Sequence, residues 1–361
     1  MNQNLLKVLT IIGARPQMIK ASMVSKEISK KSDIHEVIVH TGQHFDRNMS
    51  DIFFEEMRIP EPKYNLGVGG GTHGQNTGRM IEKSEDVLIK ETPDIVLVYG
   101  DTNSTLAGAL AAVKLHIPIA HIESGLRSYN KLMPEEINRI LTDNISDFLF
   151  TPTIEAKNNL QKEGIDDKKI FNVGDVMYDA TLNFTRIAEK GSKILDELNI
   201  KSKEYILATI HRQENTDNQS RLSIIFKTLN ASKKKIVLPL HPRTKKMISR
   251  FRIPINENVK LIEPIGYLDM LMIQKNANLI ITDSGGVQKE AYFHKVPCIT
   301  LRDETEWVEL VNIGCNKLIS PVNLNVDTLS LFNDFEFPRI KNLYGNGNTS
   351  EKILNTITKT A

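Results

Sequence analysis

Cysteine is almost absent from this chain. Only Cys298 and Cys315 occur among 361 residues, and they form no C-x-x-C pair. That argues against both a disulfide framework and a thiolate zinc site, and it fits a reducing, cytoplasmic location. An excess of charge of one sign is also missing. Forty-six Lys and Arg face 44 Asp and Glu, a formal net charge of +2, so no nucleic-acid partner is expected, since coating a polyanion needs a clustered basic excess. Long apolar runs are lacking as well. The longest, Leu106 to Ile122, is cut by Lys114, His116 and Pro118 before it could span a bilayer. The early run Val8–Ile12 is too short for a secretory leader and passes into Gly13-Ala-Arg15-Pro16, not a cleavage site. No membrane partner is expected. The nine His show no H-E-x-x-H or other ligand spacing, so no metal site is predicted. There is no internal repeat and no low-complexity segment.

What remains is globular composition, 40% hydrophobic and 25% charged, at a length that suits roughly two domains. Short β-branched runs recur with helical or loop sequence between them, long enough for crossover connections. The first set is Val8–Ile12, Glu36–His40, Ile95–Tyr99, Ile117–His121, Phe148–Phe150 and Ile170–Val173. The second is Tyr205–Ile210, Lys235–Leu240, Val259–Glu263, Leu279–Thr282 and Pro297–Leu301. Runs such as Ile95–Tyr99 are apolar throughout, as strands buried on both faces should be. The pattern predicts two doubly wound, Rossmann-like parallel-sheet domains.

The charged segment Gly174–Lys203 joins the two sets and reads as a solvent-facing helix plus linker. The expected division is therefore 1–175 and 176–343. A last piece, 344–361, would hold a helix from Glu351 to Lys359 capped by Thr349 or Ser350 and packed back on the first domain.

Ionisable groups gather just past the strands. The segments are Gly13-Ala-Arg15-Pro16, Thr41-Gly-Gln43-His44, Gly100-Asp101-Thr-Asn103, Glu123-Ser-Gly-Leu-Arg127, His211-Arg212-Gln-Glu-Asn215, His241-Pro-Arg243 and Asp283-Ser284-Gly285-Gly286. In an open parallel sheet the strand C-terminal ends line the ligand crevice, so two facing domains would gather both sets at one cleft. Ordinary polar turns and caps account for any one of these segments, but poorly for all of them together. The Ser284-Gly285-Gly286 turn before a helix suits a diphosphate, with N–H groups and the positive dipole end meeting the anion. Glu290 in that helix could take ribose hydroxyls. Capping and close packing explain the same residues equally well. Arg15, His211, Arg212, His241 and Arg243 are candidate pyrophosphate partners.

Asp101 and Glu123 follow buried strands directly, and carboxylates sharing a site can take separate acid and base roles. Glu135 and Glu136 after Pro134 read as ordinary first-turn acidity. Gly69-Gly-Gly71-Thr-His-Gly74 matches G-x-G-x-x-G, but the preceding Pro60–Leu66 has two prolines and is no central strand. It reads as a loop.

From Val8 to about Gly347 the motifs resemble the non-hydrolysing UDP-N-acetylglucosamine 2-epimerase family. They are Gly13-x-Arg15-Pro16-x-x-Ile19-Lys20, Thr41-Gly-Gln-His44, Gly100-Asp-Thr102, His121-x-Glu123-x-Gly-Leu-Arg127, Pro134-Glu-Glu-x-Asn-Arg139, His211-Arg-x-Glu-Asn215 and Asp283-Ser-Gly-Gly-x-Gln288-x-Glu290. The resemblance implies the GT-B arrangement, no redox cofactor, a UDP-sugar ligand and a homodimer through the first domain. It assigns catalysis to Asp101, Glu123, Glu135 and His211. It places Arg15, Lys20 and Arg139 among the supporting charges, and Ser284, Gly285, Gly286 and Glu290 at the diphosphate and ribose. Gln43, His44, His241 and Arg243 complete the expected substrate contacts.

The implied route expels UDP as a carboxylate removes the C2 proton, leaving a 2-acetamidoglucal that is reprotonated from the other face as UDP returns. Retaining the glucal calls for domain closure. Within the family, Gln17 replaces a commoner Glu. Asp46 and the Gly-rich loop stand where substrate-activated bacterial members have Gln and Arg. The segments Gly67–Gly74, Gly100–Gly108 and Thr305–Leu310 are most similar to the branch acting on UDP-2,3-diacetamido-2,3-dideoxy-glucuronic acid for surface polysaccharide, with plain UDP-N-acetylglucosamine next. A glycosyltransferase of the same fold would need an acceptor groove, and a non-catalytic nucleotide-sugar sensor would not need the four catalytic positions.

Overall fold

Strands that lie between two helical layers must be apolar on both faces, and the central runs meet that demand. In the computed structural model, which describes residues 5–43, 59–333, 335–338 and 342–360, Ile95–Tyr99, Tyr205–Thr209 and Leu279–Thr282 are buried at every position. The chain divides into two compact units, one of residues 1–180 with 341–361 and the other of residues 181–340.

The first unit holds a seven-stranded sheet, with strands β1 (Leu6–Ile12), β2 (Ile34–His40), β3 (Tyr64–Asn65), β4 (Ile95–Tyr99), β5 (Ile119–Ile122), β6 (Phe148–Thr151) and β7 (Ile170–Asn172) in the order 3-2-1-4-5-6-7. The second unit holds β8 (Tyr205–Thr209), β9 (Lys235–Pro239), β10 (Val259–Ile262), β11 (Leu279–Thr282), β12 (Cys298–Thr300) and β13 (Asn316–Leu318), ordered 10-9-8-11-12-13. Every pair is parallel. Strand order therefore reverses beside β1/β4 and β8/β11, where a doubly wound sheet opens a crevice at its C-terminal edge.

The eleven expected runs all become strands, with small shifts at their ends. β5 begins at Ile119 because Pro118 has no N–H to give, although its carbonyl still accepts from Val96 at 2.9 Å. The proline-containing segment does supply a strand, β3, but only two residues long and at the sheet edge. The Gly-rich loop is shorter than expected. Thr72 accepts from Gln75 N and caps the helix His73–Glu91, so His73 and Gly74 are helical.

The charged joining segment also differs from its reading as a solvent-facing helix. In the helix Val176–Gly191, Met177, Ala180, Phe184 and Ala188 form a buried stripe at helical spacing. The last helix runs Thr349–Thr360, so Thr349 and Ser350 lie inside it rather than capping it. The cap is Asp179, whose Oδ2 accepts from Ser350 N at 2.8 Å and Ser350 Oγ at 2.9 Å. This helix belongs to the first unit and packs on the helix Arg15–Ile28. Among the described residues no helix is long and apolar enough to cross a membrane.

Candidate functional site

In the first unit the turns after β1, β4 and β5 carry the expected groups. The helix Arg15–Ile28 starts with Pro16 in its first turn, where a missing N–H costs nothing. Gln17 is buried and braces this turn. Its Oε1 accepts from Gly13 N and Ala14 N at 2.9 and 3.0 Å, while Nε2 donates to the Tyr99 carbonyl at 2.9 Å. A carboxylate could not make that last bond, so the amide of Gln17 joins the first turn to β4.

One helical turn on, Lys20 donates to Glu123 Oε1 at 2.5 Å, with both side chains under a tenth exposed. Glu123 adopts φ 73°, unusual for a side-chain-bearing residue. Gly100, at φ 63°, leaves room for the pair. A Cβ there would stand 3.2 Å from Lys20 Nζ and 3.5 Å from Glu123 Oε1.

Asp101 follows Gly100. Its Oδ2 accepts from Arg139 Nη2 at 2.5 Å, and its carbonyl from Asn138 Nδ2 at 2.9 Å. Arg139 also donates to Glu136 at 2.9 Å. Glu136 is not the surface first-turn acid expected. It is fully buried and accepts from Ser128 N, Ser128 Oγ and Tyr129 N at 2.8–3.0 Å, pinning the 128–129 turn to the helix Pro134–Ile145. Its neighbour Glu135 is half-buried and has no hydrogen-bond or ion-pair partner among the described residues.

Beneath these groups, His121 contacts the Gly100 carbonyl and Asp143, each at 2.7 Å. Burial alone would raise the Asp143 carboxyl, but the charges and hydrogen bonds of His121 and Arg127 hold it below its usual value. On the edge of this group, Gln43 Oε1 accepts from Ser104 Oγ at 2.7 Å. Arg15 is half-buried at the start of its helix. His44 and Asp46 lie outside the described residues.

In the second unit Asp283, fully buried at the end of β11, organises the turn after β8. It accepts from His211 N and Arg212 N, both at 3.0 Å, and from Asn215 Nδ2 at 3.1 Å, and its Oδ1 lies 3.3 Å from His211 Nδ1. His241 lies against His211, ring centroids 5.6 Å apart. Its Nδ1 accepts from Arg243 N at 3.2 Å, capping the helix Pro242–Phe251. Burial, then the neighbouring His211 and Arg243, lower the His241 pKa against the pull of Asp283. Arg243 itself pairs with Asp217 at 3.1 Å on the surface.

Ser284 N donates to Thr282 Oγ1 at 2.9 Å, and the helix Gly285–Phe293 opens with no side chain capping it. A Cβ on Gly285 would meet Glu306 at 2.5 Å, whereas Gly286 faces open space. Glu290 is buried and held from two sides, by Tyr267 Oη at 3.2 Å and Gln274 Nε2 at 2.6 Å.

Within the first unit, then, Lys20 meets Glu123 and Asp101 meets Arg139. In the second, His211 meets His241, Glu290 meets Tyr267 and Gln274, and Arg243 meets Asp217. Sequence reasoning missed the buried supports Asp143, Glu136 as a brace, and Asp283 as an organiser. Arg139 and Asp143 lie four apart on one helix face, which is the signal that could have flagged Asp143. Among the described residues no three His, Cys, Asp or Glu side chains are placed to hold a metal ion.

The model of the family described as UDP-N-acetylglucosamine 2-epimerase matches residues 26–358. The chain is 54% identical to a UDP-N-acetylglucosamine 2-epimerase homolog of Methanococcus maripaludis, over 98% of this chain and 99% of that one. It is 53% identical to the UDP-2,3-diacetamido-2,3-dideoxy-D-glucuronate 2-epimerase of Pseudomonas aeruginosa, over 98% of this chain and 100% of the other. The crystal structure of Methanocaldococcus jannaschii UDP-GlcNAc 2-epimerase in complex with UDP-GlcNAc and UDP matches with a TM-score of 0.91 at 48% identity, covering 98% of this chain and 100% of that one.

Proposed function

The chain belongs to the UDP-N-acetylglucosamine 2-epimerase family, a family of isomerases with the GT-B pair of Rossmann-like domains, and from that premise we propose that it inverts C2 of a UDP-N-acetylhexosamine without hydrolysing it. The C2 hydrogen has no neighbouring carbonyl to acidify it. Its removal becomes feasible when the C1–O bond to UDP breaks in the same step, giving a 2-acetamidoglucal. Return of UDP with protonation from the opposite face gives the epimer. This chemistry needs carboxylates at C2 and cations or N–H groups at the departing diphosphate.

Asp101, Glu123 and Glu135 supply the carboxylates in this reading, with Lys20 and Arg139 setting the charge around the first two. His211, the Ser284-Gly285-Gly286 turn and the open helix end take the diphosphate, and Glu290 takes the ribose. The observation that carries the reading is the buried Lys20–Glu123 pair beside Gly100 and Asp101. A buried carboxylate on strained backbone is costly to maintain and clusters at sites of chemistry. Replacing Asp101 with Asn should abolish turnover and largely spare UDP binding; unchanged turnover would remove Asp101 from the scheme.

For substrate we favour UDP-2,3-diacetamido-2,3-dideoxy-glucuronic acid, converted to its manno epimer for surface polysaccharide. The end-to-end 53% identity to the Pseudomonas aeruginosa enzyme supports this. UDP-N-acetylglucosamine is the second reading, favoured by the relative at 54% and the ligand-bound structure at 48%. Steady-state kinetics on both sugars tests the preference. We expect kcat/KM to favour the diacetamido-uronate by roughly 10⁴-fold, since a site built for extra polar groups rejects the analogue lacking them. Equal or better use of UDP-N-acetylglucosamine would reverse the assignment, and UDP binding with no turnover of either sugar would favour a sensor.

A further inference from the structure

The turns that carry Asp101 and Glu123 are held by one buried side chain that the scheme above leaves without a role. His121, in β5, is fully buried. Its Nε2 lies 2.7 Å from the carbonyl of Gly100, the residue before Asp101. A carbonyl can only accept, so Nε2–H donates. On the other side of the ring, Nδ1 lies 2.7 Å from Asp143 Oδ1. Asp143 Oδ2 accepts from Arg127 Nη1 at 2.7 Å and from the backbone N–H of Gly125 at 3.1 Å, two residues after Glu123. One imidazole thus ties the turn of Asp101 directly, and the turn of Glu123 through one carboxylate.

Both turns need such a tie. Gly100, Glu123 and Gly125 all have left-handed φ, at 63°, 73° and 80°. Backbone of this kind persists where its surroundings over-determine it. Besides His121, one backbone bond joins the ends of the two strands, and the side-chain restraints serve one turn each. Gly100 N donates to the Ile122 carbonyl at 2.9 Å. Asn159 Nδ2 donates to the Gly125 carbonyl at 3.0 Å, and Arg127 is anchored by Glu163 at 2.6 and 2.7 Å.

We propose that His121 is a positioning residue for the C2 chemistry, setting the spacing of the Asp101 and Glu123 carboxylates through the Gly100 carbonyl and Asp143 without touching substrate. This rests on the reading of those two carboxylates as reacting groups.

Two amide variants separate the two bonds. In His121→Asn the side-chain amide overlays Nδ1, keeping the Asp143 contact and losing the Gly100 carbonyl. In His121→Gln it overlays Nε2, keeping the carbonyl and losing Asp143. For His121→Asn we expect kcat to fall about 100-fold with KM and UDP affinity within about threefold of wild type, the size of effect that misplacing a reacting group produces. His121→Gln should keep at least about tenfold more kcat than His121→Asn, because the link to the Asp101 turn survives. C2 deuterium exchange is followed for both UDP-sugars alongside thermal melts.

Wild-type kcat in His121→Asn would overturn the proposal. So would equal loss of kcat in the two variants in step with their melting temperatures, the signature of a merely structural ring. If His121→Asn does not fold, His121→Gln decides alone, and a loss as large as that of Asp101→Asn overturns the proposal. Asp101→Asn and Glu123→Gln are assayed beside them. Should those two retain exchange, the carboxylate reading fails and takes this inference with it. Should they lose exchange while His121→Asn retains it, only the positioning role falls.

Discussion

Replacing Asp283 with Asn changes one heavy atom at a fully buried position, and the structure allows its cost to be worked out. The carboxylate receives His211 N, Arg212 N and Asn215 Nδ2 at 3.0–3.1 Å. The best placement of an amide keeps its oxygen on Arg212 and Asn215 and turns its NH2 toward His211. Hydrogen bonds to a charged acceptor are worth about 1.5–3 kcal/mol and neutral ones about 0.5–1.5 kcal/mol, so weakening two of them and setting a donor against His211 N in place of the third costs about 3 kcal/mol at the lower end. For a unit of this size that lowers the melting temperature by roughly 6–12 °C.

Function should suffer separately, because His211 loses the partner that orients its ring. The assay is differential scanning calorimetry with a parallel measurement of turnover at a temperature where the variant stays folded. We expect a lower transition for the second unit and a kcat reduced by about 10². A melting shift under about 2 °C with unchanged kcat would refute the reasoning, because the 211–215 turn would then be held by something other than Asp283.

Lys20→Met leaves Glu123 as a buried charge without its cation, which should destabilise the first unit by about 3–5 kcal/mol in urea unfolding and abolish C2 exchange; a loss under about 1 kcal/mol would mean the pair is solvated. Glu91 gives a pH test. Its hydrogen bonds with Lys63, then Lys7 and Tyr64, lower its pKa from 4.5 to about 2. A depressed carboxyl stabilises the fold fully above its unfolded value and loses that contribution as pH falls through its folded value. The stability gap between wild type and Glu91→Gln should therefore close between about pH 4.5 and about pH 2. Urea midpoints that stay parallel through that window would contradict the assignment.

Some of this was readable from the chain alone because it follows from local pattern. Ile95–Tyr99 and Leu279–Thr282 are uniformly apolar, and the polar turns after them could be placed at the sheet's C-terminal edge before any geometry was known. β3 and β13 were missed for the opposite reason, since Tyr64-Asn65 and Asn316-Lys-Leu318 contain no β-branched residue to mark them as strands. The supports of the site are less accessible still. Lys20 and Glu123 stand 103 residues apart, so nothing local marks them as partners. Glu135 and Glu136 are adjacent and alike in sequence. The helical twist alone sends Glu136 inward to Ser128, Tyr129 and Arg139 and leaves its neighbour half-buried. The joining segment misled because the ten charged residues from Gly174 to Lys203 outnumber the four-residue apolar stripe that packs its helix.

The central claim is that C2 inverts through elimination and re-addition of UDP. Its most direct test is proton NMR of the protein with each UDP-sugar in D2O, using substrate labelled with 18O at the bridging oxygen between C1 and the β-phosphate. The account predicts deuterium at C2 of the UDP-linked epimer, together with scrambling of the label into non-bridging positions of the β-phosphate. Epimer formed with protium retained at C2, or with the label still wholly in the bridge, would contradict it.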